Sequence, residues 1–442
     1  MENRMQDIKF VWIILSEGAV LTCNEPLESK PAGHAMMSQD MLDKVVKIIQ
    51  NQSWQCLVLT DKRGITNTQQ QLIASVKAQV VLPVDAAISC SYDHCAVAIE
   101  PAQIERVEGI PSTYQIILRI GRKNLLHLSE IIIPLLDRFK DVTLRHPEIL
   151  IYDDEDLECY RGQLIKMAQW LLSKKTSWSK YRLACITDRF FALDSKENEC
   201  GSGTAGIAIA TNGDLYTCPA AYVNREPSVG NILTDLDIPH RHLFTREYAC
   251  ACKDCTATHC QRCVYLNKLG TGEWCVPTRI VCRLSHIEAN VQACLADRLK
   301  KSRLWGEDCK APSHPTLYDP VELIRKTDTD EEGIVDIWQR LVSFNGNPKN
   351  LSSSMMLDIV HSLYGWCEAL SICAECGKVP SAEQIEGDVL SSLRRKTLEP
   401  YKDVILSENC PTVHDIEQLL CRVAQKGLDR IGKNTYSGRR PC

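Results

Sequence analysis

The residue type that could do chemistry in this 442-residue chain is cysteine, because of its number and its spacing. Nine of the 23 cysteines fall between positions 200 and 282, and seven of them form a spaced set that we call the cysteine series. Its members are Cys200, Cys218, Cys252, Cys255, Cys260, Cys263 and Cys282. Thiolates with short gaps suit a tetrahedral zinc site or an iron–sulfur cluster, because each binds four such ligands. The spacing therefore predicts one or two metal centres.

The tight middle of the cysteine series favours iron over zinc. Two zinc-binding knuckles usually stand about 15–20 residues apart. Here only residues 256–259 separate the first pair, Cys252 and Cys255, from the second pair, Cys260 and Cys263. We therefore predict one or two [4Fe–4S] clusters and keep zinc as the alternative.

A β-hairpin is predicted between Cys200 and Cys218. Asn212-Gly213 separates two apolar runs, and this dipeptide is the strongest short signal for a two-residue type I′ turn, in which both central residues have positive φ. The turn would place Cys218 at the end of the second strand, with Cys200 just upstream of the first. The two thiolates would then converge.

A glycine motif precedes the hairpin. Gly201-x-Gly203-x-x-Gly206 has the letters of the dinucleotide-binding fingerprint, but that fingerprint must follow a strand and open a helix. Here it opens a hairpin strand, so we interpret it as flexible backbone beside Cys200. The chain also lacks the P-loop, the His-Glu-x-x-His motif and the Gly-x-Ser-x-Gly motif, which removes the commonest phosphate, zinc-protease and serine-hydrolase chemistries.

Two further cysteine pairs have ordinary interpretations. Cys90 and Cys95 flank His94, but two cysteines and one histidine make an incomplete metal site, so we predict core residues beside a strand. Cys373-x-x-Cys376 ends a helical pattern with no second pair beside it. Free cysteine usually behaves as a small buried apolar residue, so packing is the better interpretation there too.

Residues 1–184 alternate apolar runs with longer amphipathic stretches. The apolar runs are Phe10–Leu15, Cys56–Thr60, Val80–Val84, Cys95–Ile99, Tyr114–Ile120, Val142–Arg145 and Ile149–Tyr152. The amphipathic stretches are Gln39–Gln50, Asn67–Lys77, Asn124–Arg138 and Asp154–Lys174. Strands that are apolar on both faces and alternate with helices predict an α/β domain with a parallel sheet, open or curled into part of a barrel.

Two further domains are expected after residue 184, because the chain is too long for one compact unit. Residues 185–300 form the cysteine-rich metal domain. Residues 301–442 show apolar positions at intervals of three and four, which predicts an α-helical C-terminal module. Its expected helices are Pro320–Arg325, Glu331–Ser343, Ser354–Glu375, Ser381–Lys396 and Val413–Lys426.

Charge and hydropathy narrow the possible partners and the compartment. The net charge of −5 provides no basic field for nucleic acid. The apolar runs are too short to span a membrane or to form a signal-peptide core. An odd, unevenly clustered set of cysteines is typical of a reducing compartment, where thiolates serve metal rather than disulfides. We therefore expect a cytoplasmic protein that binds neither nucleic acid nor membrane.

The cysteine series and its flanking text resemble a known module. The series, with the segments Ala210–Pro219 and Ser228–Ile232, resembles the SPASM domain, the auxiliary-cluster module of radical S-adenosylmethionine peptide maturases. More closely, the stretch from Cys200 to Leu299 looks like the CXXX repeat peptide maturase family of bacteria. The segments that carry this second resemblance are Cys218–Tyr222, His259–Lys268 and Leu284–Glu288.

The resemblance implies two ligand sets. The outer cluster would be held by Cys252, Cys255, Cys260 and Cys282, and the inner cluster by Cys200, Cys218 and Cys263. The inner set is one ligand short, and Cys185, Cys250 and Cys275 are the spare thiolates that could complete it. The tight run departs from the usual SPASM pattern, because it has gaps of four and two residues where five and three are usual, which affects the assignment of Cys263.

A larger departure concerns the domain in front. A radical S-adenosylmethionine enzyme carries Cys-x3-Cys-x2-Cys after its first strand, whereas here Cys23 stands alone. The resemblance therefore implies a degenerate partial (β/α) barrel, and an accessory protein or maturase that acts with a radical S-adenosylmethionine partner enzyme on a cysteine-rich precursor peptide. The alternative is a zinc-stabilised scaffold or adaptor without redox chemistry.

Overall fold

The computed structural model describes residues 5–19, 21–25, 33–187, 190–191, 200–246, 252, 257, 260, 262–275, 277–306 and 309–310. Several predictions concern positions outside this part of the chain, namely those for Cys250, Cys255, Cys373 and Cys376 and for the helices expected beyond residue 311. The described residues belong to two compact units. The first runs up to Phe244, includes Ala257 and Cys260, and resumes at Leu284; the second includes Cys252 and residues 262–283.

The first unit is built on a nine-stranded sheet. Its strands are β1 (Phe10–Ile14), β2 (Gln55–Leu59), β3 (Gln79–Pro83), β4 (Cys95–Ile99), β5 (Gln115–Arg119), β6 (Asp141–Arg145), β7 (Arg182–Leu183), β8 (Gly206–Ile209) and β9 (Leu215–Tyr216). The strand order is β7-β6-β5-β4-β3-β2-β1-β8-β9. All neighbours are parallel except β8 and β9, which are antiparallel. The prediction of an α/β domain with a parallel sheet is confirmed.

Helices connect most of these strands. They are α1 (Gln39–Gln52), α2 (Asn67–Ser75), α3 (Val84–Ile88), α4 (Leu128–Phe139) and α5 (Asp154–Ser173), followed by α6 (Pro219–Val223), α7 (Val264–Thr271) and α8 (Arg279–Lys301). Short 3₁₀ helices cover Pro101–Gly109, Arg122–His127, Ile149–Ile151, Lys175–Lys180 and Arg241–Phe244. A small antiparallel ribbon pairs β10 (Gly230–Asn231) with β11 (Asp235–Leu236).

Local capping explains where three of the helices begin. The Ser38 side chain accepts the backbone N–H of Met41 at the start of α1. Reciprocal capping boxes start α2, between Thr66 and Gln69, and α5, at Asp153. Such caps satisfy N–H groups that have no partner inside the helix. The starts of α1, α2 and α5 accordingly coincide with those predicted from the sequence.

Consecutive strands from β1 to β7 are neighbours, so each crossover moves in the same direction across the sheet. Right-handed crossovers of this kind place the connecting helices on one face. The other face carries an apolar cluster that takes in no residue of α1 to α5. Its buried members are Trp12, Ile14, Ala19, Leu59, Val81, Ala96, Ala98, Ile117, Ala208, Ala210 and Tyr222. The alanine side chains in this cluster are short, and Tyr222 of α6 packs into the cluster.

The predicted hairpin is present, but its turn differs from the predicted type. Ile209 pairs with Leu215, and the Gly213 N–H donates to the Ala210 carbonyl at 2.9 Å. Of Asn212 and Gly213, only Gly213 has a positive φ, of 87°. The loop therefore has three residues, 211–213, in a type I turn followed by a left-handed glycine, and the type I′ prediction is wrong.

The Asn212 side chain explains the longer loop. Its Oδ1 atom accepts the backbone N–H of Asp214 at 3.1 Å, and its Nδ2 group donates to the Asp214 carboxylate at 2.7 Å. Asn231 donates to the same carboxylate at 3.0 Å. These bonds hold Asn212 as a local cap, the alternative role of asparagine in turns.

Two other predictions about elements need correction. The run Ile149–Tyr152 is a 3₁₀ turn rather than a strand, because the Ile149 N–H closes a turn on the His146 carbonyl at 3.1 Å. A short apolar run cannot by itself distinguish a strand from a helical turn. The predicted helix Asn124–Arg138 is divided into a 3₁₀ helix and α4.

We predict that Gly213→Ala destabilises the first unit. A Cβ atom there would lie 3.2 Å from Cε of Met41 and 3.3 Å from Cγ2 of Ile232, at a φ that L-residues rarely adopt. The expected loss in the free energy of unfolding is about 1–2 kcal/mol. Gly162→Ala in α5 is the matched control, because its Cβ meets nothing within 4 Å, and a gain of about 0.5–1 kcal/mol is expected. Urea unfolding of both variants tests the difference; equal stabilities would contradict it.

Candidate functional site

The β8–β9 hairpin places Cys218 near Cys200. Cys200 is exposed in the loop before β8, whereas Cys218 is buried directly before α6. Burial raises the pKa of Cys218 to about 12, the Ala221 N–H opposes this rise, and the negative charge of Cys200 adds to it. The Ala221 N–H donates to the Cys218 sulfur at 3.4 Å. The hairpin thus brings a loop thiol and a strand-end thiol together.

The glycine motif forms a packed turn between these two cysteines. Gly203 has a φ of 73°, and its backbone lies against the ring of Phe244, which leaves no space for a Cβ atom. The Gly203 N–H donates to the carbonyls of Gly206 and Thr217. The Ser202 hydroxyl also donates to the Thr217 carbonyl, at 2.9 Å. The motif opens β8 and not a helix, which agrees with our rejection of dinucleotide binding.

Three other members of the cysteine series belong to the second unit. The Cys252 carbonyl accepts Nε–H of Arg246 at 2.7 Å. Cys263 directly precedes α7 as its N-terminal cap residue. Cys282 is buried near the start of α8, where its N–H donates to the Thr278 carbonyl at 3.0 Å. These backbone contacts fix where each cysteine stands along its element.

The remaining predicted ligands are distributed differently. Cys260 belongs to the first unit, where its N–H donates to the Ala257 carbonyl at 3.1 Å. Cys255 lies outside the described residues. Within the described ranges, no group of three or more His, Cys, Asp or Glu side chains is placed so that it could hold a metal ion. Metal ligation by the seven cysteines therefore stays a prediction.

Two cysteines near the series have other surroundings. Cys185, the candidate for completing the inner set, is buried, and its carbonyl accepts Nε2 of Gln292 at 2.9 Å. Cys294 in α8 is disulfide-bonded. The expectation that cysteines here serve metal rather than disulfides is therefore wrong for Cys294.

Sequence reasoning missed a polar cluster at the carboxyl ends of the parallel strands. Arg119 ends β5 and Arg145 ends β6, and the strand register places them side by side. Nη2 of Arg119 donates to the Glu25 carbonyl at 2.7 Å, and Nε of Arg145 donates to the Thr22 carbonyl at 3.3 Å. The two arginines thereby hold residues 22–25, the segment after β1, across this edge. We call these residues 22–25, Arg119 and Arg145, together with His146, the carboxyl-edge cluster.

Glu25 and Arg119 are buried, whereas Arg145 is half-buried. Burial raises the pKa of the Glu25 carboxyl group, and Arg119 and Arg145 oppose this rise. The Cys23 N–H donates to the Glu25 carboxylate at 2.9 Å. Arg119 is only 4% exposed, and its Nε–H has no hydrogen-bond partner among the described residues. A buried arginine with an unused N–H donor can donate a hydrogen bond to a further polar or anionic group.

His146 extends the cluster into the core. Its backbone N–H donates to Oδ1 of Asn24 at 2.6 Å, and its ring Nδ1 atom lies 3.2 Å from the Tyr152 hydroxyl. Burial and the neighbouring Arg145 lower the pKa of His146 to about 3. The imidazole is therefore neutral and serves as a hydrogen-bonding core group.

A second polar group lies at the carboxyl ends of β1 and β2. The Ser16 hydroxyl donates to the Asp61 carboxylate at 2.6 Å, and Arg63 forms an ion pair with the same carboxylate. Burial would raise the pKa of Asp61, but hydrogen bonds from Arg63 and Ser16 outweigh it and hold the pKa at about 2. Asp61 is therefore ionised at neutral pH.

Ligands of open parallel sheets bind beside the carboxyl ends of the strands. Here the chain's own residues 22–25 lie across that edge at β5 and β6, and Cys23 is the one cysteine of this segment. One sequence signal could have identified the cluster. Arg145 is the last residue of the apolar run Val142–Arg145, and Arg119 is the last but one of the run Tyr114–Ile120. A charged residue at the carboxyl end of a buried parallel strand indicates the edge of the sheet where ligands bind.

Comparison with known proteins yields only distant structural matches. No family model matches the chain, and no curated protein matches it. A structure of SuiB from Streptococcus suis bound to precursor peptide SuiA shares 10% identity and a TM-score of 0.36, covering 53% of this chain and 66% of that chain. SuiB bound to S-adenosylmethionine gives 10% identity, a TM-score of 0.35, and 52% and 64% coverage.

The chain thus spans just under two thirds of the SuiB length. At this identity and TM-score the matches carry no conclusion about activity, and membership of the CXXX repeat family stays a prediction. Within the described part of the chain, no helix has the length and apolar composition that a membrane span requires.

We predict that Arg119→Met lowers the free energy of unfolding by about 2–3 kcal/mol, because it removes a buried charge-assisted donor from the Glu25 carbonyl and leaves that carbonyl unsatisfied. Arg122→Met is the matched control: this arginine is 42% exposed and pairs with Asp153 and Asp156 at the surface, so a clearly smaller loss is expected because water screens the pairs. Urea denaturation measures both. Similar losses for the two variants would show that Arg119 does not hold the segment.

Proposed function

We propose that this protein is an iron–sulfur accessory protein or maturase that acts with a radical S-adenosylmethionine enzyme on a ribosomally synthesised, cysteine-rich precursor peptide. The observation that carries the proposal is the cysteine series, in which the β8–β9 hairpin places Cys200 and Cys218 near each other. Seven thiolates in this spacing are a soft-metal donor set, and few other functions require them.

The donor chemistry fits an iron–sulfur site. Thiolates are the usual ligands of [4Fe–4S] clusters, which supply electron transfer or an open iron site when bound. Cys218 is buried and receives the Ala221 N–H, and such N–H···S bonds stabilise a thiolate ligand and adjust the potential of its metal. In the two sets that the SPASM resemblance implies, Cys200 and Cys218 stand together.

Two features support an accessory role rather than radical initiation. The segment after β1 contains Cys23 where a radical S-adenosylmethionine enzyme has a cysteine triplet. The same segment is held across the carboxyl edge of the sheet by Arg119 and Arg145. We therefore assign generation of the radical to the partner enzyme, and binding of the peptide or transfer of electrons to this chain.

The substrate class rests on the resemblance to the CXXX repeat family. A peptide with a cysteine at every fourth position would present thiols at a regular spacing to a thiolate-rich domain. The inner ligand set is one cysteine short, so a substrate thiol would have a metal position to occupy. This links the missing ligand to peptide recognition.

We predict that protein purified anaerobically contains iron and acid-labile sulfide, about four of each per cluster. Cys218→Ser and Cys260→Ser each remove about one cluster, because each takes a thiolate from one of the two sets. Cys159→Ser is the matched control, since Cys159 lies in α5 outside the cysteine series. Iron, sulfide and zinc are measured on the same sample. Stoichiometric zinc without sulfide would support the zinc-stabilised scaffold instead.

We predict that the iron-loaded protein binds a synthetic peptide of CXXX repeats at least about tenfold more tightly than the same peptide with serine at every cysteine, a difference of about 1.4 kcal/mol. The reason is that only the thiol can coordinate an open metal position. Fluorescence anisotropy measures both affinities. Equal affinities would contradict a role for substrate thiols, and 5′-deoxyadenosine production by this chain alone would contradict the accessory role.

A further inference from the structure

Cys90 and Cys95 form a second thiol site, separate from the cysteine series. Cys95 is the first residue of β4, and Cys90 lies two residues after the end of α3. Their sulfur atoms are 3.5 Å apart. Cys90 is partly exposed, whereas Cys95 is buried. A disulfide bond is about 2.05 Å long, so an approach of about 1.5 Å would join the two sulfurs.

The loop between the two cysteines is held in this arrangement by buried tyrosines. The Tyr92 N–H donates to the Cys90 sulfur at 3.4 Å, and the Cys95 thiol donates to the Tyr92 carbonyl at 3.0 Å. The Tyr114 hydroxyl donates to the carbonyls of Cys90 and Tyr92, at 3.2 and 3.0 Å. The Tyr92 hydroxyl is itself anchored on the Ala78 carbonyl at 2.7 Å. The backbone therefore keeps the two sulfurs facing each other.

The two thiols have unequal reactivity. The Cys95 thiol shares its one proton between the Tyr92 carbonyl and the Cys90 sulfur, and this contact lowers the pKa of Cys90 to about 6; the Tyr92 N–H contributes in the same direction against the effect of burial. The same hydrogen bond, followed by burial, raises the pKa of Cys95. An accessible thiolate next to a buried thiol is the arrangement of an attacking and a resolving cysteine.

Cys56 shows how an ordinary buried thiol of this domain differs. It lies in β2, and burial alone raises its pKa to about 11. The sequence predicts that Cys90 and Cys95 are core residues, and that description fits Cys56. A core role does not explain why the sulfurs of Cys90 and Cys95 are in contact, or why Cys90 is partly exposed.

We propose that Cys90 and Cys95 form a reversible intramolecular disulfide by exchange with a small-molecule disulfide such as oxidised glutathione. The Cys90 thiolate attacks one sulfur of the glutathione disulfide, the S–S bond breaks, and one glutathione leaves as a thiolate. Cys95 then loses its proton to solvent and attacks the Cys90 sulfur, which releases the second glutathione. Two protein thiols are oxidised, and one glutathione disulfide is reduced to two thiols.

The full-length protein tests this directly. It is equilibrated with mixtures of reduced and oxidised glutathione, alkylated with N-ethylmaleimide and digested with trypsin. Residues 78–106 form one tryptic peptide that contains Cys90 and Cys95 and no other cysteine, and residues 48–62 form another that contains only Cys56. As oxidised glutathione increases, the first peptide should change from two alkyl groups to none, with the loss of two hydrogens. The Cys56 peptide should keep its alkyl group throughout.

Two variants identify the attacking cysteine. Cys95→Ser removes the resolving thiol, so a mixed disulfide with glutathione should accumulate on Cys90. Cys90→Ser removes the attacking thiolate, so Cys95 should remain alkylated and free of glutathione. The proposal is overturned if the wild-type peptide keeps two alkyl groups in excess oxidised glutathione, or if glutathione attaches to Cys56 as readily as to Cys90 in the Cys95→Ser variant.

Discussion

The parallel pairing of β1 with β8 is the interaction on which the rest of the described fold depends. Phe10 pairs with Gly206, and Ile13 pairs with Ile209. Through β8, the hairpin that leads to Cys218 becomes part of the main sheet instead of a separate element. The same strand, β1, is followed in the chain by residues 22–25, the segment that Arg119 and Arg145 hold. One buried strand therefore connects the thiol pair at 200 and 218 to the carboxyl-edge cluster, and Gly206 enables the close approach because a Cβ there would meet the ring of Trp12.

Burial of charge explains why the carboxyl-edge cluster is so heavily hydrogen-bonded. A carboxyl group and a guanidinium group taken out of water, such as those of Glu25 and Arg119, are costly unless each finds partners. Glu25 receives the Cys23 N–H and faces two positive charges, and Arg119 donates to the backbone of the segment that carries Glu25. The segment after β1 and the arginines therefore stabilise each other. Among the described residues, Nε of Arg119 and Nε2 of His146 are the two buried side-chain atoms of the cluster without a hydrogen-bond partner.

The sequence allowed the elements to be predicted where the determining interactions are local. The capping residues of α1, α2 and α5 lie within three positions of the groups that they bind, and Asn212-Gly213 marks the hairpin. The turn type could not be predicted, because it depends on which conformation the Asn212 side chain stabilises. The β1–β8 pairing and the contact of Arg119 with Glu25 join positions about a hundred or more residues apart. No local pattern encodes such partners, although a charge at the end of a buried strand marks where to look.

Three cysteines of this chain show why residue type and spacing alone leave a role undecided. Cys56 is enclosed by apolar strands, and its thiol stays protonated. Cys218 is equally buried, and burial raises its pKa to about 12, but its sulfur accepts the Ala221 N–H, a bond that favours the thiolate. Cys90 touches a second sulfur and is partly exposed. Since the thiolate is the reactive form in metal binding and in exchange, the hydrogen bonds around each sulfur decide which chemistry is available to it. Spacing identifies candidate cysteines, and their surroundings distinguish packing, ligation and exchange.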